Sequence, residues 1–153
     1  MSRPEKVRLG DLLVQQRLIS QGQLELALEQ QQHSGLKLGR LLVNNAFITE
    51  EVLSEALSKQ LGIPHIDLKS YRFDLGLVRL LPENQARRFR TIVLEERDGL
   101  LLVGMADPTD LSSVDEVARI VNRAVDVAVV TEGQLLESID RAYWHTREIT
   151  GQE

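Results

Sequence analysis

The sequence contains no cysteine, which excludes a disulfide scaffold and thiol catalysis and suits a reducing compartment. Aromatic residues make up only 4%, so Leu, Val, Ile and Ala must fill any core that forms. A basic excess is also missing. Lys and Arg number 18 against 23 Asp and Glu, and the formal net charge of −5 argues against a general nucleic-acid binder. No apolar run approaches the roughly 20 residues of a membrane span. The N-terminal MSRPEKVRLG is positively charged but has no apolar stretch behind it, so it is not a secretory signal. The three histidines, His33, His65 and His145, are far apart and show no metal-ligand spacing. The sequence has neither the phosphate-binding G-x-x-x-x-G-K-[ST] pattern nor the dinucleotide-binding G-x-G-x-x-G, and no serine sits in G-x-S-x-G. Acidic neighbours such as Glu95-Glu96 read as a solvated strand end. No enzymatic activity, metal or cofactor is expected of these residues.

What is present is enough for a packed core: 153 residues, 42% of them hydrophobic and 27% charged, suffice for one domain or two small ones. The chain also repeats itself. Arg8-Leu-Gly-Asp-Leu-Leu-Val14 is matched by Lys37-Leu-Gly-Arg-Leu-Leu-Val43, an offset of 29 residues. Over 8–31 against 37–60 there are ten identities, where ordinary composition gives about two.

Each copy reads as two helices. Leu9, Leu12, Leu13 and Gln16 have helical spacing, as do Leu38, Leu41, Leu42 and Asn45. Ser20 and Gln23 form a capping box that opens the second helix, and Thr49 caps the equivalent helix with Glu50 and Glu51 in its first turn. Leu24, Ala27, Leu28 and Gln31 then share a face, and so do Leu53, Ala56, Leu57 and Gln60. After Gly62 and Pro64 the period changes. Asp74 caps a short helix through Leu75–Leu81, and Pro82 suits the first turn of another to about Phe89. Thr91–Leu94 and Leu100–Met105 flank Asp98-Gly99, a hairpin signal. A helix carrying Val114, Val117, Ile120 and Val121 precedes a strand at Val125–Val130, and Thr131-Glu-Gly-Gln134 opens a last helix to about His145. The expected fold class is α+β. A four-helix unit of two tandem helical hairpins occupies 1–63, a small α/β sandwich 64–147 and a frayed polar tail 148–153.

The paired Arg8-Leu9-Gly10 and Lys37-Leu38-Gly39 each set a cation and a glycine at a helix start, which suits a phosphate or carbonyl oxygen. The plainer reading is a packing unit, since capping and core spacing explain most identities. Gln31 and Gln60, recurring on apolar faces, must reach water or bond something.

The double pattern resembles the tandem motif of the MshEN domain, the N-terminal domain of bacterial type II secretion and type IV pilus assembly ATPases. That motif reads R-L-G-x-x, two aliphatics, x-x-G, two aliphatics, x-x-x-x-L-x-x-x-L-x-x-Q, twice, with five residues between; residues 8–31 and 37–60 fit it and 32–36 are the five. Leu81-Pro82, Ala86-Arg-Arg88 and Met105-Ala-Asp-Pro108 also look like the family's second subdomain.

The resemblance implies a cytoplasmic receptor domain for cyclic di-GMP, a two-fold symmetric ligand. By match, Arg8 would bond or stack on it, and Leu9-Gly10 and Leu38-Gly39 would offer backbone contacts. Leu13, Val14, Leu18, Ile19, Leu24 and Leu28, with Leu42, Val43, Phe47, Ile48, Leu53 and Leu57, would form apolar walls. Gln31 and Gln60 would close each half, with Arg88 and Asp107 as further candidates. The implied partner is an attached or separate secretion or pilus ATPase, without a nucleic-acid polymer or membrane insertion. With no motor motif, the chain is expected to be either a piece of a longer protein or a stand-alone receptor. Three departures stand out. Lys37 replaces the second arginine, losing the fork, and Arg17 and Ala46 replace the glycine of each copy. If that glycine requires positive φ, each replacement costs roughly 1 kcal/mol. The departures favour an alternative, a protein-docking module of a secretion ATPase that binds no nucleotide.

Overall fold

The computed structural model describes residues 9–149, and the side-chain surroundings of 9–144. Arg8 and residues 150–153 lie outside the described residues. The chain divides into two compact units, Met1–Ala56 and Leu57–Glu153.

The first unit contains α1 (Leu9–Gln15), α2 (Gln21–Ser34), α3 (Leu38–Asn44) and most of α4 (Glu50–Leu61). The caps form as the sequence requires. Gln23 N–H donates to Ser20 Oγ and Ser20 N–H to Gln23 Oε1, both at 3.0 Å. Val52 N–H donates to Thr49 Oγ1 at 3.1 Å. The core takes Leu13, Ile19, Leu24 and Ala27 from the first copy and Leu42, Ile48 and Ala56 from the second, joined by Leu41. Each fully buried leucine contributes about 1.5–3 kcal/mol relative to an exposed one.

The glycine of each copy is a packing device. A Cβ on Gly10 would lie 2.5 Å from Leu24 Cδ1 and 3.1 Å from Leu24 Cδ2, so α2 seats its leucine directly on the α1 backbone. A Cβ on Gly39 would lie 3.2 Å from Leu53 Cδ2, the equivalent leucine of α4. The contacts are also reciprocal: Leu38 comes within 3.3 Å of the Gly10 position, and Leu9 within 3.5 Å of the Gly39 position. The two hairpins therefore meet about a local pseudo-two-fold axis between the starts of α1 and α3.

The second unit contains α5 (Leu75–Val78), α6 (Glu83–Phe89), β1 (Thr91–Arg97), β2 (Leu100–Met105), α7 (Leu111–Val121), β3 (Val125–Val129) and α8 (Glu132–Ile149). Together with the helical unit, this bears out the α+β class. The sheet order is β1-β2-β3. β1 and β2 pair antiparallel through a turn at Asp98 (φ 52°) and Gly99 (φ 84°), the two positive φ values of a type I′ hairpin. A bulge interrupts β1 between Val93 and Glu95. β2 and β3 pair parallel with α7 as the crossover. The far side of β3 is taken by Pro64–Ile66: Val129 N–H donates to Pro64 O at 2.9 Å and Ile66 N–H to Val129 O at 3.0 Å. Ile92, Val93, Leu101, Val103, Val117, Leu135 and Ile139 are fully buried in its core, while Trp144 on α8 is 55% exposed.

Three details differ from the sequence-based expectation. α5 stops at Val78, and Pro82 takes the N-cap slot of α6 instead of its first turn. α8 runs to Ile149, so 148 and 149 are helical. Gln134 is not committed to a capping box with Thr131. Its Oε1 accepts from Leu68 N–H at 3.0 Å and its Nε2 donates to Asp67 Oδ1 at 2.9 Å, because the chain arriving from Pro64–Ile66 needs its backbone donor satisfied. This bond and that from Lys69 N–H, the larger cause, hold the Asp67 carboxyl below its ordinary value.

Gly10→Ala should lower the melting temperature, because Leu24, 4% exposed, has both methyls against the site and overpacking costs about 1–3 kcal/mol. Gly39→Ala should be near neutral, since half-buried Leu53 can give way and alanine gains about 1 kcal/mol of helix propensity. Thermal unfolding of both variants checks the order. Tyr143 generates a second expectation. Its hydroxyl, 4% exposed with its residue, donates to Leu81 O at 2.5 Å, with Val78 O at 3.2 Å, and burial, with Glu83 nearby, pushes the phenol up. A raised folded value means that this residue's contribution is complete below about pH 10, the unfolded phenol's value, and is lost as pH rises further. Tyr143→Phe should cost about 1 kcal/mol at pH 7 and should flatten the alkaline fall in urea-unfolding stability. A remainder is expected from Tyr71, which burial also pushes up.

Candidate ligand-binding surface

The repeat extends to individual hydrogen bonds. At the end of α1, Arg17 N–H donates to Val14 O and Leu18 N–H to Leu13 O, each at 2.9 Å. At the end of α3, Ala46 N–H donates to Val43 O at 2.9 Å and Phe47 N–H to Leu42 O at 3.0 Å. Both are Schellman endings, and the left-handed residue is Arg17 (φ 61°) in one and Ala46 (φ 62°) in the other. The two positions where the resembling motif carries glycine thus do require positive φ.

The structure separates the sequence-derived residues into three groups. Leu13, Ile19, Leu24, Leu42, Ile48 and Leu57 are each less than a tenth exposed and shape a surface only from beneath. Gly10 is buried too, under Leu24. Leu9, Val14, Leu18, Leu38, Gly39, Val43, Phe47 and Leu53 are half-buried, and Leu28, Lys37 and Gln60 are exposed, so these present surface. Leu9, Gly10, Leu38 and Gly39 are brought together at the pseudo-two-fold axis; Arg8 lies outside the described residues.

Gln31 is half-buried and already engaged: its Nε2 donates to Leu36 O at 3.2 Å, tying the end of α2 to the link before α3. Two residues outside the sequence-derived set tie the helices together. Asn45 Nδ2 donates to Gln30 Oε1 of the first copy at 2.7 Å and to Leu41 O at 2.9 Å, while Arg40 pairs with Glu50 at 2.8 Å within the second copy. The helical spacing from Leu41 to Asn45 is the available signal for the second Asn45 bond.

Arg88 and Asp107 belong to the second unit. Asp107 Oδ1 accepts from Thr109 N–H at 3.1 Å and from the Thr109 hydroxyl, closing the turn before α7. Arg88 stacks over Phe89, its guanidinium carbon 5.2 Å from the ring centroid. It lines a cleft of about 730 Å³ with Gln85, Phe89, Ser112, Asp115, Glu116, Arg119 and Ile120. The Arg119 guanidinium holds the Glu116 carboxyl below its usual range, with a lesser contribution from Arg88. Cations and carboxylates in this cleft already offset one another, so it does not present a concentrated charge to an ion. Among the described residues, no group of three or more His, Asp or Glu is placed to hold a metal, and no helix is long and apolar enough to cross a membrane.

Comparison with known proteins gives a consistent picture. A family model described as the MshEN domain matches residues 61–149, more than half of the chain. The type IV pilus assembly ATPase PilB of Myxococcus xanthus (strain DK1622) is 35% identical over 136 residues, covering 89% of this chain and 24% of that protein. The bacteriophage adsorption protein B of Escherichia coli (strain K12) is 27% identical over 139 residues, covering 91% of this chain and 18% of that protein. A solved structure of MshE with cdg has a TM-score of 0.74 at 37% identity, covering 90% of this chain and 99% of that chain. The chain therefore spans about a quarter or less of the curated relatives' lengths, whereas it matches the solved domain almost end to end.

The left-handed residues yield a direct test. Ala46→Gly should stabilise the protein by about 1 kcal/mol, because glycine adopts this backbone without the Cβ penalty. Some of that gain is offset by glycine's greater freedom in the unfolded chain. Denaturant titration of the parent and variant measures the net; a destabilised variant would contradict the strain at this position.

Proposed function

The chain belongs to the MshEN domain family, and from that premise we propose that it is a non-catalytic receptor domain for cyclic di-GMP. The observation that carries this reading is the pseudo-two-fold pairing of the hairpins, with Leu9 against Gly39 and Leu38 against Gly10. A ligand with two guanines and two phosphates can make equivalent contacts with two equivalent hairpins. The 37% identity to MshE, solved with cdg, supports the same ligand class here. The proposed ligand-binding part is 1–63, with 64–147 as the accompanying α/β part.

Arg8 and Lys37 supply the cations, Arg8 with a planar fork and Lys37 as a point charge. The half-buried Leu9, Val14 and Leu18, with Leu38, Val43 and Phe47, offer apolar surface to the bases, while the fully buried leucines fix its shape. Arg88 and Asp107 stay secondary, since each already has a partner in its own unit. We further propose that occupancy is communicated to a secretion or pilus ATPase, attached or separate, in the cytoplasm. The pilus ATPase relative supports that output. The docking-module alternative is favoured by Lys37 and by the unrelieved left-handed Arg17 and Ala46.

Titration calorimetry with cyclic di-GMP, with GMP and GTP as controls, should give one ligand per chain and a clear preference over both controls. Arg8→Ala should weaken binding about 1 kcal/mol more than Lys37→Ala, the difference between a fork and a point charge. Two ligands per chain would contradict the shared two-hairpin site, and no binding at all would favour the docking module.

A further inference from the structure

The cleft of about 730 Å³ lies wholly within the α/β unit, with residues of α6 on one wall and of α7 on the other. Half-buried Phe89 and Ile120 give it an apolar part. The charges around it are of two kinds. Glu116 and Arg119 satisfy each other along α7, at 2.5 Å. Arg88 on α6 and Asp115 on α7 are exposed, and among the described residues neither has a hydrogen bond or an ion pair. The Arg88 guanidinium lies over the Phe89 ring, which steadies its plane and leaves its N–H groups open to a carboxylate.

An unmatched cation on one wall and an unmatched carboxylate on the other disfavour a simple ion, since either sign would meet its like. They are, however, self-complementary. A second copy turned about a two-fold axis sets Arg88 against the partner's Asp115 and Asp115 against the partner's Arg88. Leu111 supplies an apolar complement. It is 60% exposed, the most exposed of the large hydrophobic residues described, and stands one turn before Asp115 on the same stripe of α7. Across the two-fold axis it is available to the apolar part of the partner's cleft, where its exposed surface would leave water.

We propose that the α6–α7 face is an interaction surface for a second copy of this chain, held by the reciprocal Arg88–Asp115 pairs and by Leu111. The proposal does not depend on the cyclic di-GMP reading, because every residue it uses belongs to the α/β unit and no nucleotide is needed. Helices of 7 and 11 residues offer a small face, so the association is weak and reversible.

Sedimentation equilibrium of the whole chain tests this. The weight-average mass of the parent should rise from that of one chain toward that of two across about 10–500 μM. Arg88→Asp and Asp115→Arg should each weaken pairing roughly tenfold or more, because each sets like charges opposite one another twice. Combining them exchanges the two signs and should recover most of the parent's affinity. Leu111→Ser should weaken pairing about tenfold without any change of charge. All of these positions are exposed, so an unchanged melting temperature is the fold control. A parent that stays monomeric to about 1 mM would overturn the proposal, as would a mass that climbs past two chains without levelling. Single reversals that pair like the parent, or a combined variant that stays apart, would also overturn it. Should a reversal fail to fold, Leu111→Ser decides the case, since pairing as tight as the parent's would leave this face out of the contact.

Discussion

The helical unit depends on a leucine seated on a glycine. Leu24 occupies the space in which any Cβ on Gly10 would stand, and Leu53 does the same, less tightly, at Gly39. That approach brings α2 onto α1 and α4 onto α3, and it lets short first helices of seven residues share a core. Helices of that length have little stability alone, so packing supplies what propensity cannot. The two glycines differ in what they leave open: Gly10 is buried beneath Leu24, whereas Gly39 stays half-buried beside Leu53.

The two units solve backbone satisfaction differently. The hairpins close locally: Schellman turns end α1 and α3, and side-chain caps from Ser20 and Thr49 open α2 and α4. The α/β unit uses distant partners. Gln134 reaches back to Asp67 and Leu68, Tyr143 to Leu81, and Pro64–Ile66 lines the edge of β3, which would otherwise offer unpaired donors and acceptors.

This difference explains what is legible in the sequence. The Ser20 and Thr49 caps and the Asp98-Gly99 turn follow from residues within five positions of one another, and each appears as expected. The positive φ at Arg17 and Ala46 is legible only through the motif, because neither residue type announces it. Gln134 escapes a local reading because capping grammar spans a few residues while its partners lie 66 and 67 positions away. The candidate site is legible as a pattern, not as a surface. Helical spacing places Leu9 and Leu13 on one face, yet it cannot distinguish fully buried Leu13 from half-buried Leu9, which depends on what packs across from each.

The reciprocal Leu–Gly contacts have the form of an isologous interface: the same patch on both sides, residue for residue. Two separate hairpins with this patch would associate as a symmetric dimer, and their pairing would vary with concentration. Joining them through 32–36 makes the pairing intramolecular, so dilution no longer undoes it. Covalent linkage also removes the requirement that the halves stay identical. Arg8 can be answered by Lys37, and Leu18 by Phe47, because a duplicated chain, unlike a homodimer, can alter one side at a time.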